Sequence, residues 1–306
     1  MVPDEFTDLN LDQITSLASR DDAIAQFSLG QAYASGKTIP KNMQEAAKWY
    51  RMAGEQGHAA AQHNMGVAYG HGFGLPQDRL EAVRWYKLAA NQGYAAAQFN
   101  LGNAYFVGNL LPTDTLEAVR LFKLAADQGF AKAQSALGIA SDFGRGLPQD
   151  HLVAAKWYRL AAENGDDQAQ IIIGKQYLKG VVVKQDLVEA VKWFKLAAEQ
   201  GNDSAELNLG FAYEFGEGVP ADISEAIKWF KLAAGHGNAE ASYSLGLLYA
   251  LGREVPKNFV IANFWFSVSA RAKHLLAKEN LDKLEKFMTP DQISASQNLV
   301  IKWFES

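Results

Sequence analysis

With 29 Lys and Arg against 34 Asp and Glu in 306 residues, the chain has a net charge of −5 and no basic block, which argues against nucleic acid or an anionic membrane as partner. The absence of cysteine excludes disulfides, thiolate metal ligands and a cysteine nucleophile. No stretch approaches the ~18 apolar residues of a membrane span, and acidic residues fill the start where a signal peptide has basic and then apolar ones, so no membrane insertion is expected. The expectation is a soluble, cytoplasmic chain, or a periplasmic or secreted one if a leader was removed before numbering.

Residues 9–20, LNLDQITSLASR, form the first predicted element, a capping helix within 1–21 that turns Leu11, Ile14 and Leu17 inward. One phrase then recurs every 36 residues: EAAKWYRMAGEQG at 45–57, EAVRWYKLAANQG at 81–93, EAVRLFKLAADQG at 117–129, VAAKWYRLAAENG at 153–165, EAVKWFKLAAEQG at 189–201 and EAIKWFKLAAGHG at 225–237, with a degraded copy at 261–273. A fixed period means stacked units, none of which could bury its own large side chains alone.

Each unit decodes as a helical hairpin. The first half reads A-x-A-Q-x-x-L-G-x-x-Y, so that Ala61, Met65 and Tyr69, or Ala205, Leu209 and Tyr213, share one helical face. Glycines at 30, 66, 102, 138, 174, 210 and 246 fall mid-helix, where each costs about 1 kcal/mol relative to Ala. Close approach of the second helix, with an aromatic pair such as Trp85 and Tyr86 lying on the bare backbone, would offset that cost.

A second glycine, at 36, 72, 108, 144, 180, 216 and 252, suits a left-handed helix cap. The helix that follows is N-capped by Asn42, Asp78, Asp114, Asp150, Asp186, Asp222 or Asn258, with Glu45, Glu81, Glu117, Glu189 and Glu225 placed to complete capping boxes. It ends at the glycine closing each phrase. After residue 273 the signature is lost, but 275–288 has a helical pattern. The tail TPDQISASQNLVIKWF then starts a last helix, with Thr289 as N-cap, Pro290 at N1 and Gln292 at N3, whose Ile293, Leu299 and Trp303 cover the stack.

Together, A-x-A-Q-x-x-L-G-x-x-Y, G-x-P-x-D and E-A-x-x-W-[YF]-x-x-A-A-x-Q-G closely resemble the Sel-1-like repeat, a relative of the tetratricopeptide repeat. The units are 22–57, 58–93, 94–129, 130–165, 166–201, 202–237 and 238–273, with 274–306 as C-terminal capping helices. Departures are Ser141 for the Tyr, Leu121 for the Trp and Lys184 for the Pro, which bear on local packing. The Thr-Pro-x-Gln-Ile tail is similar to C-terminal caps of bacterial members. The resemblance implies an all-α, right-handed α/α superhelical solenoid whose first helices line a concave side. It further implies a non-enzymatic scaffold that binds a peptide or protein in that groove, as monomer or weak oligomer: a bacterial signalling, envelope or secretion-related adaptor, or a toxin-neutralising immunity protein.

Features that could carry chemistry have plainer explanations. GHGFG at 70–74 looks like a phosphate loop, but it falls in the turn between helices with no strand before it. His58, His63, His71, His151, His236 and His274 include no i, i+4 pair, so most are expected to be solvated or turn residues and no metal or cofactor is expected. Glu81 with Arg84, and Glu225 with Lys228, sit at i, i+3 and support their helices. Family members with cysteines in the repeats are associated with β-lactams, so a groove-located hydrolase is the alternative; this chain lacks those cysteines.

The face not used by Ala, Leu and Tyr consists of positions equivalent to 24, 28, 31 and 35, flanked by 27 and 34, and it varies from unit to unit. It carries Asn64, Asn100 and Asn208, Ile139 and Phe143, Ile172, Lys175 and Lys179, Phe211, Glu214 and Phe215, and Leu247 and Leu251. The asparagines resemble those with which tetratricopeptide-type grooves hold a ligand's backbone. The aromatic and aliphatic side chains could form an apolar patch that binds protein. The competing expectation for the flanking position, occupied by Phe27, Phe99, Ile171, Leu207 and Tyr243, is packing between units.

Overall fold

The computed structural model describes residues 11–305, and within them all regular structure is α-helix. Helix α1 (Leu11–Ala18) precedes the hairpins α2 (Ala23–Ser35) with α3 (Met43–Glu55), α4 (Ala59–His71) with α5 (Arg79–Asn91), α6 (Ala95–Val107) with α7 (Thr115–Ala126), and α8 (Ala131–Phe143) with α9 (His151–Glu163). Then come α10 (Asp167–Lys179) with α11 (Leu187–Ala198), α12 (Asp203–Phe215) with α13 (Ile223–Gly235), and α14 (Ala239–Leu251) with α15 (Phe259–Arg271), followed by α16 (Ala277–Glu285) and α17 (Pro290–Glu305). The chain divides into two compact units, 1–164 with repeats 1 to 4 and 165–306 with repeats 5 to 7. Inside each unit, neighbouring hairpins stack as in an α solenoid.

Local chemistry explains the hairpin. All seven inter-helix glycines close the first helix in the left-handed region, at φ between 66° and 75°. Every predicted N-cap of the second helix accepts from backbone N–H groups of its first turn, as Asp78 Oδ1 does from Leu80 and Glu81 at 2.9 and 3.1 Å. The predicted capping boxes do not close, because the N-cap N–H is already spent on the first helix: Asn42 donates to the Tyr33 carbonyl at 3.0 Å, and Asp78 to that of Tyr69 at 3.0 Å. The glutamates turn outward instead and pair with Lys48, Arg84, Arg120, Lys192 and Lys228 at i, i+3. Among the described residues only the tail has the reciprocal box: Thr289 N–H donates to Gln292 Oε1 at 2.9 Å, and Gln292 N–H to Thr289 Oγ1 at 3.3 Å.

The mid-helix glycines are explained by one of the two aromatics expected there. A Cβ at Gly30 would lie 2.6 Å from the Tyr50 ring, at Gly102 2.8 Å from Phe122, and at Gly138 2.6 Å from Tyr158. The preceding Trp does a different task and reaches back to the previous repeat. Trp85 packs with Tyr50 and Met65, and Trp265 packs with Phe230 and Ala234. Leu121 fills the same place as a buried side chain, whereas the departure at Ser141 leaves a buried hydroxyl without a partner.

A polar ladder crosses the repeats. Buried Gln62 donates Nε2 to the Gly54 carbonyl of the preceding repeat at 2.9 Å and accepts from Gln92 at 2.7 Å. Gln26 with Gln56, Gln98 with Gln128, Gln134 with Asn164 and Gln170 with Gln200 repeat the amide pair at 2.8 to 3.0 Å. In repeat 6 both members change, and His236 Nδ1 faces Oε2 of fully buried Glu206 at 2.8 Å.

At the start, Ile14 and Leu17 pack on the cluster of Ala18, Ala25 and Leu29; the Leu11 side chain and residues 1–10 and 306 lie outside the described residues. At the other end α17 packs on α15. Val300 is buried, Leu299 joins the same cluster, and Trp303 meets Trp265 edge-on at 5.2 Å.

A candidate partner-binding face

The flanking position belongs to the stack. Phe27 stacks on His58 of the next repeat at 4.5 Å, Phe99 meets Phe130 at 5.5 Å, Tyr243 stacks on His274 at 4.2 Å, Ile171 is buried, and Leu207 joins a core cluster. At position 63 the same column holds a histidine, which engages two of the candidate asparagines. Asn100 Nδ2 lies 3.0 Å from His63 Nε2, and Asn64 Oδ1 lies 3.2 Å from His63 Nδ1. The amide therefore donates to Nε2, and Nδ1 carries the proton. Tyr50 bonds Asn64 and Tyr86 bonds Asn100, and burial pushes both phenols up to about 12. In unit 1 these asparagines thus tie repeats 1 to 3 together.

Four of the six histidines, expected mostly as solvated or turn residues, bond acceptor or amide side chains: His63, His236, His151 with Asp142 at 2.6 Å, and His274 with Glu240 at 3.0 Å. Burial holds His63 and His58 below the ordinary imidazole value of 6.5. A histidine with a depressed folded value binds its proton less readily when folded, so its stabilising effect is complete above 6.5 and is lost as pH falls toward the folded value. Urea midpoints of the wild type should therefore fall on acidification below about pH 6.5. His63→Phe, the residue that stands at 27 and 99, should flatten that dependence; an unchanged slope would contradict the buried, neutral assignment.

The remaining candidates are on exposed or half-buried faces of first helices. In unit 1, Ile139 and Phe143 share α8, and Phe143 is 67% exposed. In unit 2, α10 carries Ile172, Lys175 and Lys179, α12 carries Asn208, Phe211, Glu214 and Phe215, and α14 carries Leu247 and Leu251. Phe211 and Phe215 stack at 6.2 Å, but they are not equivalent. Phe211 is half-buried and edge-on to the core residue Phe230 at 5.2 Å, whereas Phe215 is 59% exposed. Burial raises Glu214, against the opposing pull of Arg253.

In unit 2, two clefts open on this face. Leu178, Leu187, Phe194, Asn208, Phe211 and Phe215 line one of about 330 Å³ between repeats 5 and 6. Leu247, Leu251, Phe259, Phe266, Leu284 and Phe287 line another of about 490 Å³ between repeat 7 and α16. Ile172 lines neither, and Asn208 donates to the Ser204 carbonyl at 2.6 Å. The α16 contribution was missed because the L-G-x-x-Y signature is gone, yet the 36-residue spacing alone places Lys283 and Phe287 in register with Phe211 and Phe215.

The hairpin repeat has a counterpart in a known family. The Sel1 repeat model matches residues 23–58, 59–94, 95–130, 131–166, 167–202, 203–238 and 239–274. The chain is a member of the Sel1 repeat family. Its Sel1 repeats are similar to a protective antigen of uropathogenic Escherichia coli strains with an SLR fold, at 31% identity over 97% of this chain and 71% of that one, with a TM-score of 0.60. They are also similar to a Sel1 repeat protein from Oxalobacter formigenes, at 34% identity over 89% of this chain and 79% of that one, with a TM-score of 0.69. An immunity protein from Pseudomonas aeruginosa is 20% identical over 70% of this chain and 81% of that one, with a TM-score of 0.48, too distant to speak to role. A search of curated proteins finds no match. No helix among the described residues is long and apolar enough to cross a membrane.

Proposed function

We propose that this Sel1 repeat protein is a non-catalytic scaffold that binds another protein along the first helices of repeats 5 to 7, as an adaptor in a bacterial signalling, envelope or secretion system or as the neutraliser of a toxin. One observation carries the reading. Phe215 and Leu251 hold the same place in successive repeats and are 59% and 51% exposed at the mouths of apolar clefts, so stacking does not account for them. Exposed aromatic and aliphatic side chains beside preformed apolar clefts are what a protein partner can desolvate and use as anchors.

The half-buried setting of Phe211 decides which variant tests this. Phe211→Ser should cost stability through its contact with Phe230, so the informative change is Phe215→Ser with Leu251→Ser. That double variant should keep its helicity and melting temperature while weakening capture of partners from a lysate of the source organism by at least about 2 kcal/mol, the scale of an interface hot spot. Undiminished capture by a folded double variant would place binding elsewhere.

A further inference from the structure

In unit 2 the partner face is chemically graded, and the gradient follows the repeat register. The column containing Phe211 reads Lys175, Phe211, Leu247, Lys283 from α10 to α16, and the adjacent column reads Lys179, Phe215, Leu251, Phe287. The α10 end thus presents two ammonium groups one helical turn apart. Both are exposed and neither has an ion-pair partner among the described residues. Every Glu at the starts of α11 and α13, by contrast, has its own Lys. Beyond the lysines these two columns hold only Phe and Leu until α16, where Lys283 pairs with Glu279 at 2.6 Å, and the half-buried carboxylate of Glu214 stands beside them on α12. Glu217 lines the rim of the first cleft on its turn side, so a carboxylate of a partner is repelled there and attracted over α10.

Resting on the binding face proposed above, we infer that the partner is recognised through an acidic segment with two apolar anchors. One or more of its Asp or Glu side chains meet Lys175 and Lys179. One apolar side chain enters the cleft beside Phe215, and a second enters the cleft formed by Leu251 and Phe287. Helices pack about 8 to 10 Å apart, so clefts two repeats apart lie on the order of 20 Å from one another. An extended segment rises about 3.3 Å per residue, which puts the two anchors roughly six residues apart. The lysines then give on-rate and orientation, and the clefts give the slow off-rate.

The probe is a phage-displayed library of random peptides of roughly twelve residues, long enough for the span above, panned on the full chain. Winning peptides are then synthesised and titrated by fluorescence anisotropy. Winners should carry Asp or Glu and two separated large apolar residues. The charge reversal Lys175→Glu with Lys179→Glu should weaken them about tenfold or more at low salt, with the difference shrinking as salt screens it. Both lysines are exposed, so helicity and melting temperature should hold, and Lys175→Gln with Lys179→Gln should give the same trend at smaller size. Winners without acidic residues, or unmoved by the lysine changes yet weakened by Phe215→Ser, would overturn the acidic-segment proposal and leave the binding face standing. No winners, or winners insensitive to every one of these changes, would overturn both.

Discussion

Phe122→Ala is expected to destabilise unit 1 by about 3 to 5 kcal/mol, the range for truncating a fully buried aromatic whose site cannot collapse. Phe122 is completely buried and lies against Gly102, Phe99 and Phe106, the last edge-on at 5.6 Å. The reciprocal change is more diagnostic. Helix propensity alone says that Gly102→Ala should stabilise by about 1 kcal/mol. Here the new methyl would lie 2.8 Å from the Phe122 ring and 3.2 Å from the Ala118 carbonyl, so it should instead destabilise by about 1 to 3 kcal/mol. Gly235, the last residue of α13, has no atom within 4 Å of where its Cβ would sit, and Gly235→Ala should be neutral or stabilising by up to about 1 kcal/mol. Urea midpoints of the three variants decide the matter; equal effects at Gly102 and Gly235 would remove the close-approach account of the repeated glycine.

Deleting residues 289–306 should uncover the end of the stack. Buried Asn263 loses the Ser296 hydroxyl that donates to its Oδ1 at 2.6 Å, and the cluster around Phe230, Leu245 and Trp265 loses Val300, Leu299 and Trp303. Each such apolar side chain contributes roughly 1.5 to 3 kcal/mol, set against the chain entropy regained by freeing the helix. A net loss of even a few kcal/mol lowers the melting temperature by about 5 °C or more in a body of this size. The exposed apolar end should also promote association, visible by light scattering. A truncated monomer with an unchanged melting temperature would show that α17 is not a cap.

The fold was legible because its determinants are local and repeated. The cap glycine at 72, the N-cap at 78 and the Ala61, Met65, Tyr69 face each act within a few residues, and the 36-residue spacing confirms them unit after unit. What escaped depends on partners far along the chain. The glutamates of the expected capping boxes, Glu81 for example, lost their target to the Tyr69 carbonyl of the facing helix. Trp85 and Tyr86 are adjacent in sequence but lie in different interfaces, one behind and one within the hairpin. The glutamine ladder left no trace in a hydrophobic pattern, since Gln62 reads as a polar residue on an otherwise apolar face while being buried.

The candidate site was legible as a column of variable residues and less so in its detail. Nothing in the spacing separates half-buried Phe211 from exposed Phe215, because burial there depends on the Phe230 ring one helix away. Asn64 and Asn100 looked available for a ligand, yet a histidine at 63, in a column that otherwise holds Phe, Ile, Leu or Tyr apart from Ser135, recruits both. Lys283 and Phe287 needed the repeat register to be carried past the last recognisable motif.

Contact at the proposed face can be read directly. A photo-crosslinking amino acid is placed at Phe215 in one sample and at Leu80, more accessible still at 74% exposure on the second helix of repeat 2, in another; each is irradiated in a lysate of the source organism. A protein adduct formed from position 215 and absent from position 80 is the expected result. Adducts from position 80 alone, or none from position 215 while the chain still captures its partner, would contradict the first-helix face of repeats 5 to 7 as the binding surface.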